Sequence, residues 1–218
     1  TDPAARVLAA DAGPRLNQTI VVENKAGAAG AIATEFVAKA PGDGYTLLLH
    51  TNILATDPTF KPNAAYDVQR DLTPVSLVVN APGVFVVNSA LPVSTLAEFV
   101  AYARANPGKL NYCSSGEGSS AHLLGERLKR ALGIDIVHVP YKGSGPALVG
   151  LAANEVQFAF DSLTGTAPLV AAGKLRIVAV TTPQRVPQAP TTPTFKESGV
   201  SGLEDFVWTQ WLGIFVPS

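Results

Sequence analysis

The stretch NYCSSGEGSSAHLLGERLKRAL, residues 111–132, carries the densest chemistry in the chain: a thiol at Cys113, serines at 114, 115, 119 and 120, several glycines and His122, all ahead of an amphipathic run. Two kinds of chemistry use such a segment. A Ser/Gly turn that opens a helix can expose a nucleophile, and it can equally seat an anion on the unpaired N–H groups of the helix start. No G-x-S-x-G elbow is present, and His122 would have to act on a serine one turn away on its own element, which is poor geometry for a triad. Two later stretches repeat the combination: YKGSGPA at 141–147 and DSLTGTAP at 161–168. A nucleophile needs one activated group, whereas recurrent hydroxyls and amides at helix starts suit a ligand held on several sides. The recurrence favours an anion cradle over a hydrolase. Turn and cap chemistry alone stays open as the alternative for Ser114–Ser120, because caps use the same residues.

The individual side chains carry bland and functional readings side by side. Cys113 reads as a small buried hydrophobe, since a reactive thiol needs a partner base that the sequence does not supply. His122 falls in a first helical turn, where neutral imidazole is favoured; it either faces a ligand or packs locally. His138, inside an apolar strand, reads as core. Lys142 is a charge partner for a carboxylate or a surface lysine, and Tyr141 a pocket wall. Asp161 has no neighbouring acid, which makes it a poor catalytic or metal residue; it reads as an acceptor for loop amides, or for a ligand's ammonium. Trp208 and Trp211 stand three apart on an expected strand, so one belongs to the core and the other to a cleft.

These residues are positioned by alternating elements. STLAEFVAYARANPG (94–108) places Leu96, Phe99, Val100 and Ala103 on one helical face, with Thr95 and Glu98 in capping-box spacing. Strand LNYCS, a helix over 120–132 stopped by Gly133, strand DIVHV, a helix over 146–153, strand VQFAF, a helix over 168–172 and strand LRIVAV follow in order. Crossovers of that length demand a parallel sheet covered on both faces. Earlier, TDPAARVLAADAG reads as a helix ended by Gly13, TIVVEN as a buried strand, 27–40 as a Gly-led helix and YTLLLH as a strand. LTPVSLVVN and GVFVVNS read as two strands around Pro82-Gly83, with a boundary near 78–83, and FVWTQWLGIFVP as a long return strand.

Composition narrows the function classes. The 218 residues include 16 basic and 17 acidic ones, scattered rather than clustered, so nucleic acid and anionic membrane surfaces are not expected partners. No apolar run approaches a membrane span. One cysteine allows no internal disulfide, and no Cys/His spacing suits a metal, so no cofactor or metal is expected. The absence of a signal-peptide pattern and of methionine reads as a trimmed or processed product.

VVENKAGAAGAIATEFVAKAPGDGYTLLL, NYCSSGEGSSAHLLGE, VPYKGSGPAL and FVWTQWLGIFVP, in this order and nearly end to end, closely resemble the extracytoplasmic solute receptors of tripartite tricarboxylate transporters, also called Bug receptors. The resemblance implies an α/β, two-lobed periplasmic-binding-protein-like fold, each lobe a mostly parallel sheet flanked by helices, with the ligand in the inter-lobe cleft. Lobe I would comprise 1–80, lobe II 81–204, and 205–218 would return to lobe I. The resembled receptors start with a strand and Gly-rich loop ahead of Thr1 and continue past Ser218, so lobe I is expected to lack both parts. The implied function is capture of a mono- or dicarboxylic acid, an acidic amino acid or similar in the periplasm and delivery to integral-membrane permease subunits, by a monomer without enzymatic activity. Carried over, the contacts are Thr1, Asp2, Thr51 and Asn52 in lobe I, and Ser114, Ser115, Gly116, Ser119, Ser120, His122, Tyr141, Lys142, Gly143, Ser144, Phe160, Asp161 and Ser162 in lobe II. HTNILATDPTF departs from the usual pocket-mouth loop, so ligand specificity does not transfer. The effector-sensing domain of a transcription regulator, similar by architecture alone, is the remaining alternative.

Overall fold

Thr95 Oγ1 accepts from the backbone N–H of Glu98 at 3.1 Å, and the Glu98 carboxylate accepts from the N–H of Thr95 at 3.2 Å, the reciprocal cap that the T-x-x-E spacing predicts. The structure is a computed structural model that describes residues 1–218. In chain order the elements are α1 (Asp2–Leu16), α2 (Ala31–Ala38), β1 (Leu48–Thr51), α3 (Asp57–Phe60), α4 (Val68–Asp71), β2 (Leu72–Asn88), α5 (Leu96–Ala105), β3 (Leu110–Ser114), α6 (Ser120–Leu132), β4 (Ile136–Pro140), α7 (Ser144–Ala152), β5 (Phe158–Ser162), α8 (Leu163–Ala171), β6 (Leu175–Val180) and β7 (Thr209–Pro217). The chain divides into two compact units, one of Thr1–Val79 with Trp211–Ser218, the other of Asn80–Gln210.

The larger unit is an α/β layer built on the strand order β4-β3-β5-β2-β6. β3 runs parallel to β4 and β5, and β2 lies antiparallel between β5 and β6, so β3, β4, β5 and β6 share one direction and β2 alone opposes it. Val84, Phe85, Val86 and Val87 of β2 are all fully buried, as a strand covered on both faces must be. Period-two alternation sends Phe85 and Val87 to one core with α5 and α6, and Val84 and Val86 to another with α7 and α8. The first core is aromatic: Phe85 meets Phe99 edge to face at 4.8 Å and lies 5.1 Å from Phe160.

The smaller unit departs from its expected β-α-β reading. TIVVEN forms no strand: Val21 is 83% exposed, and no ladder pairs the segment. β1 instead pairs antiparallel with β7, Leu48 opposite Phe215, so the mostly parallel sheet expected of each lobe does not hold for this unit. Its apolar core is small, Val37, Leu48, Leu54 and Leu72, and beside it the 2% exposed Asp57 is matched by Lys61 Nζ at 2.6 Å and by Tyr66 Oη at 2.5 Å. The ion pair and hydrogen bond are what make that burial tolerable.

Several boundaries also move. α1 continues past Gly13 and Pro14 to end on Asn17 in the left-handed region at φ 51°. β2 is one strand rather than two, because its ladders with β5 and β6 begin only at Gly83 and Val84 and leave Pro82 with no hydrogen bond to donate. α8 starts at Leu163, five residues ahead of Pro168, since Ser162 rather than the proline caps it. Trp208 precedes β7, so the expected strand alternation with Trp211 does not apply.

Candidate functional site

β4, β3 and β5 are parallel neighbours, with Ser114 opposite Pro140 and Cys113 opposite Ala159, so their carboxyl ends reach the same edge of the sheet. Each is followed directly by a helix: α6, α7 and α8. The first N–H groups of a helix have no intrahelical acceptor and carry the positive end of its dipole, so this edge gathers donors from three helix starts. Hydrogen bonds stitch the junctions together. The N–H of Tyr141 donates to the carbonyl of Ser114 at 3.0 Å, and Ser144 Oγ donates to the Asp161 carboxylate.

The first junction is shaped by Ser114, 2% exposed, whose Oγ donates to the Gly116 carbonyl at 3.0 Å and accepts from the Gly116 N–H at 3.1 Å. Gly116 at φ 133° and Gly118 at φ 74° let the chain double back toward the helix, conformations an L side chain resists. Ser119 caps α6 by accepting from the N–H of His122 at 3.4 Å, and Ser162 caps α8 by accepting from Gly165 at 3.1 Å. Gly143 caps α7 without a side chain. The hydroxyls left toward solvent at this edge are those of the partly exposed Ser115 and Ser120, since that of the exposed Ser144 is engaged by Asp161. Lys142 is exposed and enters no ion pair.

Burial pushes the Asp161 carboxyl up, against the hydrogen bonds from Ser144 and from the N–H and hydroxyl of Ser162 that favour its anion. Burial, helped by Asp161, pushes the Cys113 thiol up to about 12, so at neutral pH it is an inert thiol. His138 Nε2 lies 2.6 Å from Ser114 Oγ, and desolvation followed by the neighbouring His122 lowers that imidazole to about 4. A serine and a histidine at that distance satisfy the first requirement of a nucleophile and base. Ser114 fails the second, because its oxygen is buried and already engaged by both polar groups of Gly116. Nor does any group of three or more His, Cys, Asp or Glu stand close enough to hold a metal ion.

The structure thus brings together Ser114, Ser115, Gly116, Ser119, Ser120, His122, Tyr141, Lys142, Gly143, Ser144, Asp161 and Ser162 along one edge, with unequal roles. The Phe160 side chain is 2% exposed within the aromatic core, so the expected contact there is limited to its backbone. Tyr141 donates its hydroxyl to Glu155 at 3.0 Å. Thr1, Asp2, Thr51 and Asn52 belong to the smaller unit. There Thr1 precedes α1 without a side-chain cap bond, and Asn24 at 2.6 Å and Arg6 at 3.0 Å hold the Asp2 carboxyl below its usual range. Thr51 Oγ1 accepts from Ile53 N–H at 3.3 Å, and Asn52 opens the turn that follows. His138, expected as core, is partly exposed and joins the site through Ser114; only the register Tyr112 opposite His138 and Ser114 opposite Pro140 reveals this.

The profile of the Tripartite tricarboxylate transporter family receptor matches residues 4–218. Protein BugT of Bordetella pertussis is 37% identical over 219 residues, covering 100% of this chain and 66% of its own length. A UPF0065 protein in the tcbD-tcbE intergenic region of Pseudomonas sp. is 37% identical over 216 residues, covering 99% of this chain and 64% of its own length. The chain therefore spans slightly less than two thirds of these curated relatives. Among solved structures, R. palustris Rpa4515 with adipate superposes with a TM-score of 0.94 at 38% identity, covering 100% of this chain and 72% of that one. MatC from Rhodopseudomonas palustris with bound malate gives 0.90 at 32% identity, covering 99% and 72%.

Proposed function

The chain belongs to the tripartite tricarboxylate transporter receptor family, and from that premise we propose that it binds a small dicarboxylate of the adipate or malate type in the periplasm and hands it to membrane permease subunits, without altering the ligand. The observation that carries this reading is the convergence of three helix starts at the carboxyl ends of β3, β4 and β5. Each helix start favours an anion by about 0.3–1 kcal/mol at an exposed site, and several aimed at one edge seat a carboxylate with few basic side chains. The loop amides around Gly116, the hydroxyls of Ser115 and Ser120 and the ammonium of Lys142 are the proposed donors. Asp161 and Ser162 order the α7 and α8 junctions through their hydrogen bonds to Ser144 and Gly165.

The test is a thermal-shift and calorimetric panel of the intact protein against adipate, malate, other short dicarboxylates, citrate, acidic amino acids and aromatic acids. Ligand at 100 times its dissociation constant stabilises the native state by about 2.7 kcal/mol, a shift of several degrees in a protein of this size. A response confined to one class of carboxylate, weakened in Ser120→Ala and in Ser144→Ala, is expected. A flat panel refutes the reading.

A further inference from the structure

The imidazoles of His122 and His138 are stacked face to face, 4.1 Å apart and 9° from parallel, and each ring holds a different end of the Ser/Gly loop. His138 reaches Ser114 Oγ through Nε2 at 2.6 Å, and His122 Nδ1 accepts the N–H of Gly118 at 3.1 Å. We propose that this pair positions the 114–119 loop for its anion, and that carboxylate affinity depends on His122 being neutral. The inference rests on the carboxylate reading above.

Proton placement follows from the partners. Ser114 has one hydroxyl proton, and with that proton given to the Gly116 carbonyl the oxygen is an acceptor, so His138 donates from Nε2. His122 Nδ1 accepts an amide proton and therefore carries none itself. A proton added to His122 lands on Nδ1 and turns the contact with Gly118 into two opposed donors. A second proton on the stack is opposed by the first, since like charges at this separation repel. The charged and titratable groups facing the pair are Glu117 in the loop, Glu126 on α6 and Tyr112 on β3. The Tyr112 hydroxyl donates to Glu126 at 3.0 Å and toward the His122 carbonyl at 3.2 Å, and its ring lies 4.9 Å from His138. The stack is thus backed by the sheet on one side and tied to the start of α6 on the other.

Positioning and simple charge attraction predict opposite signs. An imidazolium beside the loop would attract a carboxylate and raise affinity in acid; loss of the Gly118 bond lowers it. Adipate and malate titrations by calorimetry, from about pH 8 to about pH 5, are compared in wild type, His122→Ala, His122→Asn, His138→Phe and His138→Gln, with circular dichroism to establish folding. His122→Ala and His138→Phe should weaken binding about tenfold, and the hydrogen-bonding replacements Asn and Gln should recover most of that loss. Wild-type affinity should fall in acid more steeply than that of His122→Asn, whose amide oxygen accepts from Gly118 without titrating. Equal losses in the bonding and non-bonding variants, superimposable pH profiles, or tighter binding of wild type in acid overturn the proposal. In ligand-free protein the Gly118 amide resonance should follow the His122 ring titration with one midpoint. If wild type binds neither ligand at any pH, the carboxylate reading fails, while that resonance still decides the clamp: independent midpoints refute it.

Discussion

Replacing Gly125 by alanine in the middle of α6 sets two effects against each other. Helix propensity favours alanine over glycine by about 1 kcal/mol. Packing opposes it: a Cβ at Gly125 would stand 2.2 Å from Cε2 and Cζ of Tyr112 and 2.7 Å from its hydroxyl oxygen. Ordinary carbon contacts lie near about 3.5 Å, so the ring or the helix must yield by more than about 1 Å. The ring has nowhere to go, being fully buried, stacked 5.4 Å from Phe158 and 4.9 Å from His138. Overpacking of this kind costs roughly 1–3 kcal/mol or more, and displacing the Tyr112 hydroxyl bonds to Glu126 and His122 adds about 1 kcal/mol. Packing wins, with a net loss of about 1–3 kcal/mol and a melting temperature lowered by about 2–12 °C. Because α6 carries Ser119, Ser120 and His122, carboxylate affinity should fall as well. Differential scanning calorimetry with and without ligand measures both. In Gly125→Ala combined with Tyr112→Leu the two losses should be clearly less than additive, since the smaller side chain makes room for the methyl group. A Gly125→Ala protein as stable as wild type, or more so, would refute the argument that this contact sets the seat of α6.

The lowered imidazole of His138 makes stability pH-dependent in a definite direction. Unfolded, the ring titrates near its ordinary value; folded, it does so near about 4, so between these the unfolded chain takes up a proton that the native state refuses, and stability falls as pH drops from about 7 toward about 4. The full shift corresponds to about 3 kcal/mol, discounted to roughly 1–2 kcal/mol for a ring that is only partly buried. Urea unfolding at several pH values should show His138→Gln losing less stability than wild type over that interval; parallel losses would contradict the assignment. Cys113, 1% exposed with its thiol pushed up to about 12, should resist thiol-modifying reagents in the native protein and react on unfolding. Rapid labelling of native protein would place the thiol at the surface instead.

Local signals were strong where neighbouring residues along the chain satisfy each other. The capping box of Thr95 and Glu98 and the start and Gly133 stop of α6 depend on contacts a few residues long, and both stand where the sequence puts them. Pro168 misled for the same reason: a proline often opens a helix, but the serine ahead of it at 162 caps this one. In the smaller unit, TIVVEN has the composition of a buried strand yet lacks a partner, whereas β1 finds one some 160 residues away in β7. Strand composition reports a preference for burial, and the ladder depends on what lies beside it.

The Ser, Gly and His content of the three junctions, and their places ahead of helices, follow from sequence order alone, because a cap or a tight turn is a local matter. What the chain order cannot express is which junctions share an edge. The parallel register of β4, β3 and β5 decides that, and with it the reach of Tyr141 N–H to the Ser114 carbonyl and of Ser144 to Asp161. The same register turns His138 from an expected core residue into the partner of Ser114, and the close approach at Gly125 brings His122 onto its face. Turns and caps are determined by short-range sterics and hydrogen bonds. The stacked histidines and the common edge arise only when strands distant in sequence are laid side by side.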